Sequence, residues 1–282
     1  MILNTTKIIS RQNELSEFSG IEYLKEWSDK KHFQSYPYKI SYQYNSRGFR
    51  DLEWPSDHLQ EAIWCVGDSF TSGIGVPFAH TWPQILQQKT NCRTINISLD
   101  GASNGWMARH SNEIIKEIQP RYLIVQWSFS HRREADISVV LDPIWEEYYN
   151  NTKNPSWPDC PLYNLFTTLP GDVQDAMRND PKFNSWSDGF DLETPRKLFE
   201  YNTTVEENID YTQSAIDLIC PNSSTKVIHS FIPNWHKGEY QLDFHNSPVI
   251  PEFEVLDRGR DSFHYDIKTA SKFVDLLLPL LT

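Results

Sequence analysis

The sequence predicts an α/β fold built on a central parallel sheet, and three observations carry that prediction. Stretches of strand length occur at residues 62–66, an apolar run, at 93–98, and at 122–127, a strand of the buried type. Stretches with helical spacing separate them, and strands alternating with helices form parallel sheets through right-handed crossovers. A further strand at 226–232 and an amphipathic helix at 267–281 close the chain in the same style.

The elements follow in order. Residues 1–61 form an N-terminal extension, polar and aromatic with weak periodicity; within it, 42–51 reads as a strand and turn, and Trp54-Pro-Ser leads out. The apolar run 62–66 is the first strand of a domain spanning 62–282. A short helix is expected over 81–90 and a second strand over 93–98. Residues 104–119 carry Met107, Ile114, Ile115 and Ile118 at helical spacing and stop at Pro120. Residues 122–127 read as a strand buried on both faces. The alternation then breaks: residues 130–197 hold Trp145, Tyr148, Tyr149, Trp157, Tyr163 and Trp186 among Pro, Asn and Asp, an aromatic-rich insertion with helices of its own. Such rings either supply a local core or wall a substrate pocket. A helix over 197–220 and the strand 226–232 restore the pattern, and Ile267, Ala270, Phe273, Val274 and Leu277 share one face of the final helix.

Composition removes several function classes. A net charge of −12 opposes a nucleic-acid backbone or an anionic membrane as partner. No apolar stretch reaches membrane-spanning length; 273–281 is too short and contains Asp275. The N-terminus lacks a basic region followed by an apolar core, so the expected location is the cytoplasm. The four cysteines, Cys65, Cys92, Cys160 and Cys220, are scattered without metal-ligand spacing and are expected to be reduced. His131, His229, His236 and His245 have no zinc-type spacing either, and neither metal nor cofactor is expected.

Chemistry concentrates where strands end, because the ligand crevice of an open parallel sheet lies beyond their carboxyl ends. After the first strand comes Gly67-Asp-Ser-Phe-Thr-Ser-Gly73, a turn that can lift the Ser69 hydroxyl toward backbone N–H groups. After the second comes Leu99-Asp-Gly-Ala-Ser-Asn-Gly105, opening a helix whose N-terminal amides favour an anion. A serine nucleophile needs a base and the base an orienting group. Asp261-Ser-Phe-His264, just before the last helix, offers both within one turn. A second Asp-x-x-His at Asp29 and His32 shows that the spacing alone is common; the position of the 261–264 pair singles it out.

Gly67-Asp-Ser69 after the first strand, Gly101 after the second and Asp261-x-x-His264 before the final helix together resemble the SGNH/GDSL hydrolase superfamily. The resemblance covers residues 62–130 and 222–281, and its most specific part is the string GDSFTSGIGVPFAHTWPQIL. It implies a flavodoxin-like, three-layer α/β/α fold, into which the aromatic-rich segment is a large insertion after the third strand. It also implies metal-free esterase, lipase, carbohydrate deacetylase or acyltransferase activity. By that likeness Ser69 is the nucleophile, His264 the general base and Asp261 its orienting carboxylate, while the Ser69 and Gly101 amides line an oxyanion hole. Asp68 is read as a structural residue of the turn, with substrate contact as the alternative.

One block departs from the family. Where Gly-x-Asn-Asp usually follows the third strand and supplies an oxyanion donor, residues 126–132 read Gln-Trp-Ser-Phe-Ser-His-Arg. A missing donor typically costs about 10²–10³ in rate. Asn104 is either a helix N-cap or a replacement amide donor, and Ser128 or Ser130 can offer a hydroxyl. Arg132 and Arg133 are either surface charges near Glu134 or a fork for a substrate carboxylate or phosphate. The leading expectation is a serine esterase acting on an acylated carbohydrate or small ester. An O-acyltransferase and a catalytically weak glycan- or protein-binding module stand beside it. Oligomeric state is not legible in the sequence.

Overall fold

The computed structural model describes residues 12–23, 25–130, 205–219, 224–233 and 242–281. The chain begins with a short antiparallel ladder, Leu15–Ser16 (β1) against Tyr42–Gln43 (β2). Between its strands lie a 3-10 turn, Gly20–Tyr23, and two short helices, Lys25–Ser28 (α1) and Lys31–Ser35 (α2). The expected strand and turn at 42–51 is this β2 followed by a tight turn, in which Asn45 Oδ1 accepts from the amides of Arg47 and Phe49 at 3.0 and 3.1 Å.

The main sheet is parallel throughout: Ile63–Gly67 (β3), Thr94–Ser98 (β4), Tyr122–Trp127 (β5) and Lys226–Phe231 (β6), in the order β4–β3–β5–β6. Ile63 pairs with both Thr94 and Tyr122, and Tyr122 pairs with Lys226. The first strand of this sheet thus lies between the second and third, the flavodoxin-like doubly wound order. Its switch point falls at the carboxyl ends of β3 and β5.

Every residue of β3, β4 and β5 is buried, as expected for strands covered on both faces. Alternation sorts the side chains. Trp64, Val66, Ile95, Ile97, Leu123, Val125 and Trp127 join one core, shared with Trp106, Met107 and Ile114 of Asn104–Glu117 (α5) and Ala215 and Ile216 of Val205–Leu218 (α6). Ile63, Cys65, Ile124 and Ile228 join the other. There they meet Trp82, Ile85 and Leu86 of Trp82–Thr90 (α4) and Phe273 and Val274 of Ile267–Leu277 (α7). The result is the expected α/β/α sandwich.

Local signals fix the helix ends. Ser103 caps α5 by accepting from the Trp106 amide at 3.0 Å, and Asp266 caps α7 by accepting from the Ile267 amide at 2.7 Å. Asn91, with φ 52°, ends α4 in the left-handed conformation. Two ends differ from expectation. Helix α5 stops at Glu117 because Gln119 turns to φ 56° before Pro120, which disfavours helical backbone in its predecessor. Helix α7 stops at Leu277 and tightens into a 3-10 turn, Leu278–Leu280, because Pro279 has no N–H for the helical ladder. The insertion expected at 130–197 beyond its first residue, the start of the 197–220 helix, Cys160 and Cys220 lie outside the described residues. Among the described residues no helix is long and apolar enough to cross a membrane.

Candidate active site

At the end of β3 the chain folds at once into a four-residue helix, Ser69–Ser72 (α3), where the sequence suggested only a turn. Asp68 explains the change. Its Oδ1 accepts from the Phe70 amide at 2.9 Å, so it caps the helix, and its Oδ2 accepts from Ser128 Oγ at 2.5 Å across to the loop after β5. Both carboxylate oxygens hold structure. Ser69 is thereby fixed as the first residue of a helix at the sheet's switch point. The N–H groups of Ser69 and Gly101 have no protein partner among the described residues, and the loops bearing them are tied by the Leu99 amide donating to Gly67 O at 3.3 Å.

The segment Asp261–His264 approaches from the other side. Asp261 Oδ1 accepts from the amides of Phe263 and His264 at 2.9 and 3.0 Å, closing a tight turn in which Ser262 takes φ 60°. The other oxygen, Oδ2, lies 2.5 Å from His264 Nδ1, and His264 Nε2 lies 2.8 Å from Ser69 Oγ. These bonds assign the proton on the ring to Nδ1, which donates to Asp261, and leave Nε2 to accept from the serine. All three side chains are buried. Burial pushes the Asp261 carboxyl up, but the charge and hydrogen bond of His264 and the two amides outweigh it, and the net direction is down. Burial likewise pulls His264 down, yet the Asp261 charge and hydrogen bond, aided by Asp100 and Asp68, carry it above its ordinary value. The pair is therefore arranged to hold a proton on the imidazole.

A frame of polar groups, not anticipated from sequence, surrounds this relay. Gly75 has φ 79°, and a Cβ placed there would lie 2.7 Å from the Asp261 carboxylate, so only glycine lets this loop pass behind the aspartate. The loop is pinned on both sides: Arg260 N donates to Gly75 O at 2.7 Å, and Gly75 N donates to the Tyr42 hydroxyl at 2.8 Å. Arg50, buried, donates to the carbonyls of Ser72, Gly73 and Val76 in the same loop. Gln126 joins the two halves from β5. Its Oε1 accepts from Thr71 Oγ1 at 3.0 Å, and its side chain exchanges hydrogen bonds with the Tyr265 hydroxyl at 3.2 Å. A polar residue inside an otherwise apolar strand was the available signal for Gln126; nothing comparable marked Tyr42 or Arg50.

The remaining sequence candidates separate. Asn104 is the first residue of α5, and the N-cap is its neighbour Ser103. Asn104 Oδ1 accepts from the Ser128 amide at 3.0 Å, while Nδ2 faces the carbonyls of Ser128 and Phe129 at 3.4 Å and Thr212 Oγ1 at 3.3 Å. In this position it holds the loop after β5 against α5 and α6. The Ser128 hydroxyl is engaged by Asp68, and Ser130 is buried. Arg132, Arg133, His131 and His236 lie outside the described residues. His229 is buried, its Nδ1 accepts from Trp127 Nε1 at 3.1 Å, and burial together with His245 lowers it to about 4. His245 pairs with Asp217 at the surface, at 2.8 Å. His32, from the second Asp-x-x-His, instead donates to Gly259 O at 2.7 Å. Phe70 and Phe263 flank the His264 ring, with centroids 4.6 and 5.0 Å away. Among the described residues no cluster of three or more His, Cys, Asp and Glu is placed to hold a metal ion.

No protein-family model and no curated protein matches the sequence. Among the solved structures that resemble the fold distantly are three that each align over 78% of this chain. TesA aligns over 98% of its own length at 11% identity and a TM-score of 0.39. A putative lipolytic protein of the G-D-S-L family from Desulfitobacterium hafniense DCB-2 aligns over 99% at 12% identity and 0.36. The psychrotrophic esterase EstA from Pseudoalteromonas sp. aligns over 95% at 13% identity and 0.33. Scores this low decide nothing about the chemistry, which rests on the side chains described above.

Proposed function

We propose that this chain is a serine hydrolase of ester bonds, with Ser69 as nucleophile, His264 as general base and Asp261 as the carboxylate that orients the base. The observation that carries this reading is the continuous relay from Ser69 Oγ through His264 to Asp261, with separations of 2.8 and 2.5 Å. The serine sits at the sheet's switch point, where ligands of such folds bind.

In this reading, Ser69 Oγ attacks the ester carbonyl while its proton passes to His264 Nε2. Asp261, already accepting the Nδ1 proton, stabilises the imidazolium without taking that proton. The developing oxyanion is met by the Ser69 and Gly101 amides, which have no protein partner among the described residues. Collapse expels the alcohol, which takes its proton from His264. Water then gives a proton to the same nitrogen as it attacks the acyl-enzyme, and collapse releases the acid while that proton returns from His264 to Ser69 Oγ. The substrate class is an acylated carbohydrate or small ester, and the chemistry itself calls on no metal.

The test pairs a fluorophosphonate probe with p-nitrophenyl acetate, on wild type and on the Ser69→Ala and His264→Ala variants. Wild type is expected to label and turn over, and each variant to lose at least about 10³-fold in kcat. Wild-type labelling and turnover no higher than in the variants overturns the reading.

A further inference from the structure

Two of the residues that brace the Asp261–His264 turn, Glu22 and Tyr42, come from the N-terminal extension, outside the α/β sandwich. Glu22, in the Gly20–Tyr23 turn, is buried, and its two oxygens reach opposite sides of the site. Its Oε1 accepts from Arg260 Nε at 2.6 Å, and its Oε2 accepts from the Tyr42 hydroxyl. That hydroxyl in turn accepts from Gly75 N, and Gly75 O accepts from Arg260 N. The four residues close a ring, and Asp261 lies inside its reach: it follows Arg260 directly in the chain, and its carboxylate packs on the bare Cα of Gly75. Further ties secure the same strand of chain. The Arg260 guanidinium stacks over Phe33, 4.6 Å from the ring centre, and donates to Glu17 O at 2.8 Å, while His32 holds Gly259 O. Burying a carboxylate is costly unless it is paired and hydrogen-bonded. Glu22 meets that condition only while Arg260 and Tyr42 are both in place, so the ring has one well-satisfied arrangement.

We infer that Glu22 is a positioning residue of the catalytic relay, clamping Arg260 and Tyr42 so that the Gly75 loop presses Asp261 against His264. The inference rests on the hydrolase reading for its kinetic consequence, but the geometric claim stands apart from it. The N-terminal segment is then a working part of the site and not a passive extension of it.

The test uses the full chain with Glu22→Gln, Tyr42→Phe and the control Glu53→Gln, which disturbs the Ser46 contacts of the same segment without touching the ring. Two readouts are taken: the titration of the His264 imidazole by NMR, and kcat and KM for p-nitrophenyl acetate. In Glu22→Gln and Tyr42→Phe the imidazole is expected to titrate at lower pH than in wild type. Their kcat is expected to fall roughly 10- to 100-fold with KM held within about twofold, since displacements of an ångström carry such costs. Glu53→Gln is expected to match wild type in both. If Glu22→Gln does not fold, Tyr42→Phe, which keeps its ring beneath Arg50, decides the matter. Wild-type titration and kcat in the folded ring variants overturn the inference, as do losses that Glu53→Gln shares. If wild type itself neither labels nor turns over, the hydrolase reading fails, and the imidazole titration alone still decides whether the ring positions His264.

Discussion

Gly75→Ala isolates the packing of the relay from its chemistry. The added Cβ would lie 2.7 Å from both Cγ and Oδ1 of Asp261 and 2.8 Å from Oδ2, about 0.7 Å inside an ordinary 3.4 Å contact. The carboxylate has little room to retreat. Its Oδ1 holds the Phe263 and His264 amides and its Oδ2 holds the imidazole, so any shift stretches the hydrogen bonds that define the turn. A misplacement near 1 Å costs on the order of 10² in rate, so kcat is expected to fall roughly 10- to 100-fold. The left-handed backbone at φ 79° adds about 1–2 kcal/mol of strain to an alanine. At about 2–4 °C per kcal/mol, this lowers Tm by roughly 2–8 °C. Gly48→Ala is the matched control: Gly48 has φ 85° in the Asn45–Phe49 turn, so it carries the strain without the carboxylate contact. Ester hydrolysis and thermal melting of both variants are compared with wild type. A Gly75→Ala protein that melts like Gly48→Ala yet keeps wild-type kcat refutes the claim that this glycine sets the aspartate's position.

Four other outcomes are expected. The rise of kcat/KM with pH should have its midpoint above pH 6.5, because His264 must be neutral to act as base and its environment favours the protonated ring. In Asp261→Asn burial is left to dominate, so the midpoint moves to lower pH while kcat falls by about 10⁴, the loss seen when triads lose this group; an unmoved midpoint tells against the pairing. His229 bears on stability instead: folded, it titrates near 4, so between about pH 6.5 and 4 the unfolded chain binds a proton that the folded chain does not. Stability therefore declines on acidification by up to roughly 3 kcal/mol, and melting curves of His229→Gln over that range should lose this slope. Asn104→Ala removes the acceptor of the Ser128 amide and the donor to the loop carbonyls, and urea titration should show a loss of roughly 1–3 kcal/mol; unchanged stability argues against a bracing role for the side chain.

The order of residues alone was enough to point to the α/β sandwich and to the three side chains that the structure joins by hydrogen bonds. Strands β3 and β5 are largely apolar runs, the pattern that burial on both faces favours, whereas β4 is buried with Thr94, Asn96 and Ser98 in it. Ser69, Asp261 and His264 were legible through position as much as spacing: Gly-Asp-Ser follows a strand, and the Asp-x-x-His that recurs at Asp29 and His32 stands at 261–264 just before the last helix. What sequence could not assign was the purpose of groups whose partners are distant in the chain. Asn104 looked equally like a cap or a donor, and only the approach of the β5 loop gave its amide a task. Glu22, Tyr42, Arg50 and Arg260 carry no local signature at all, since each is an ordinary polar residue until folding buries it. Burial is what makes them specific. A carboxylate or guanidinium removed from water must find partners across the molecule, and those partners, some more than two hundred residues away in sequence, are chosen by the tertiary fold.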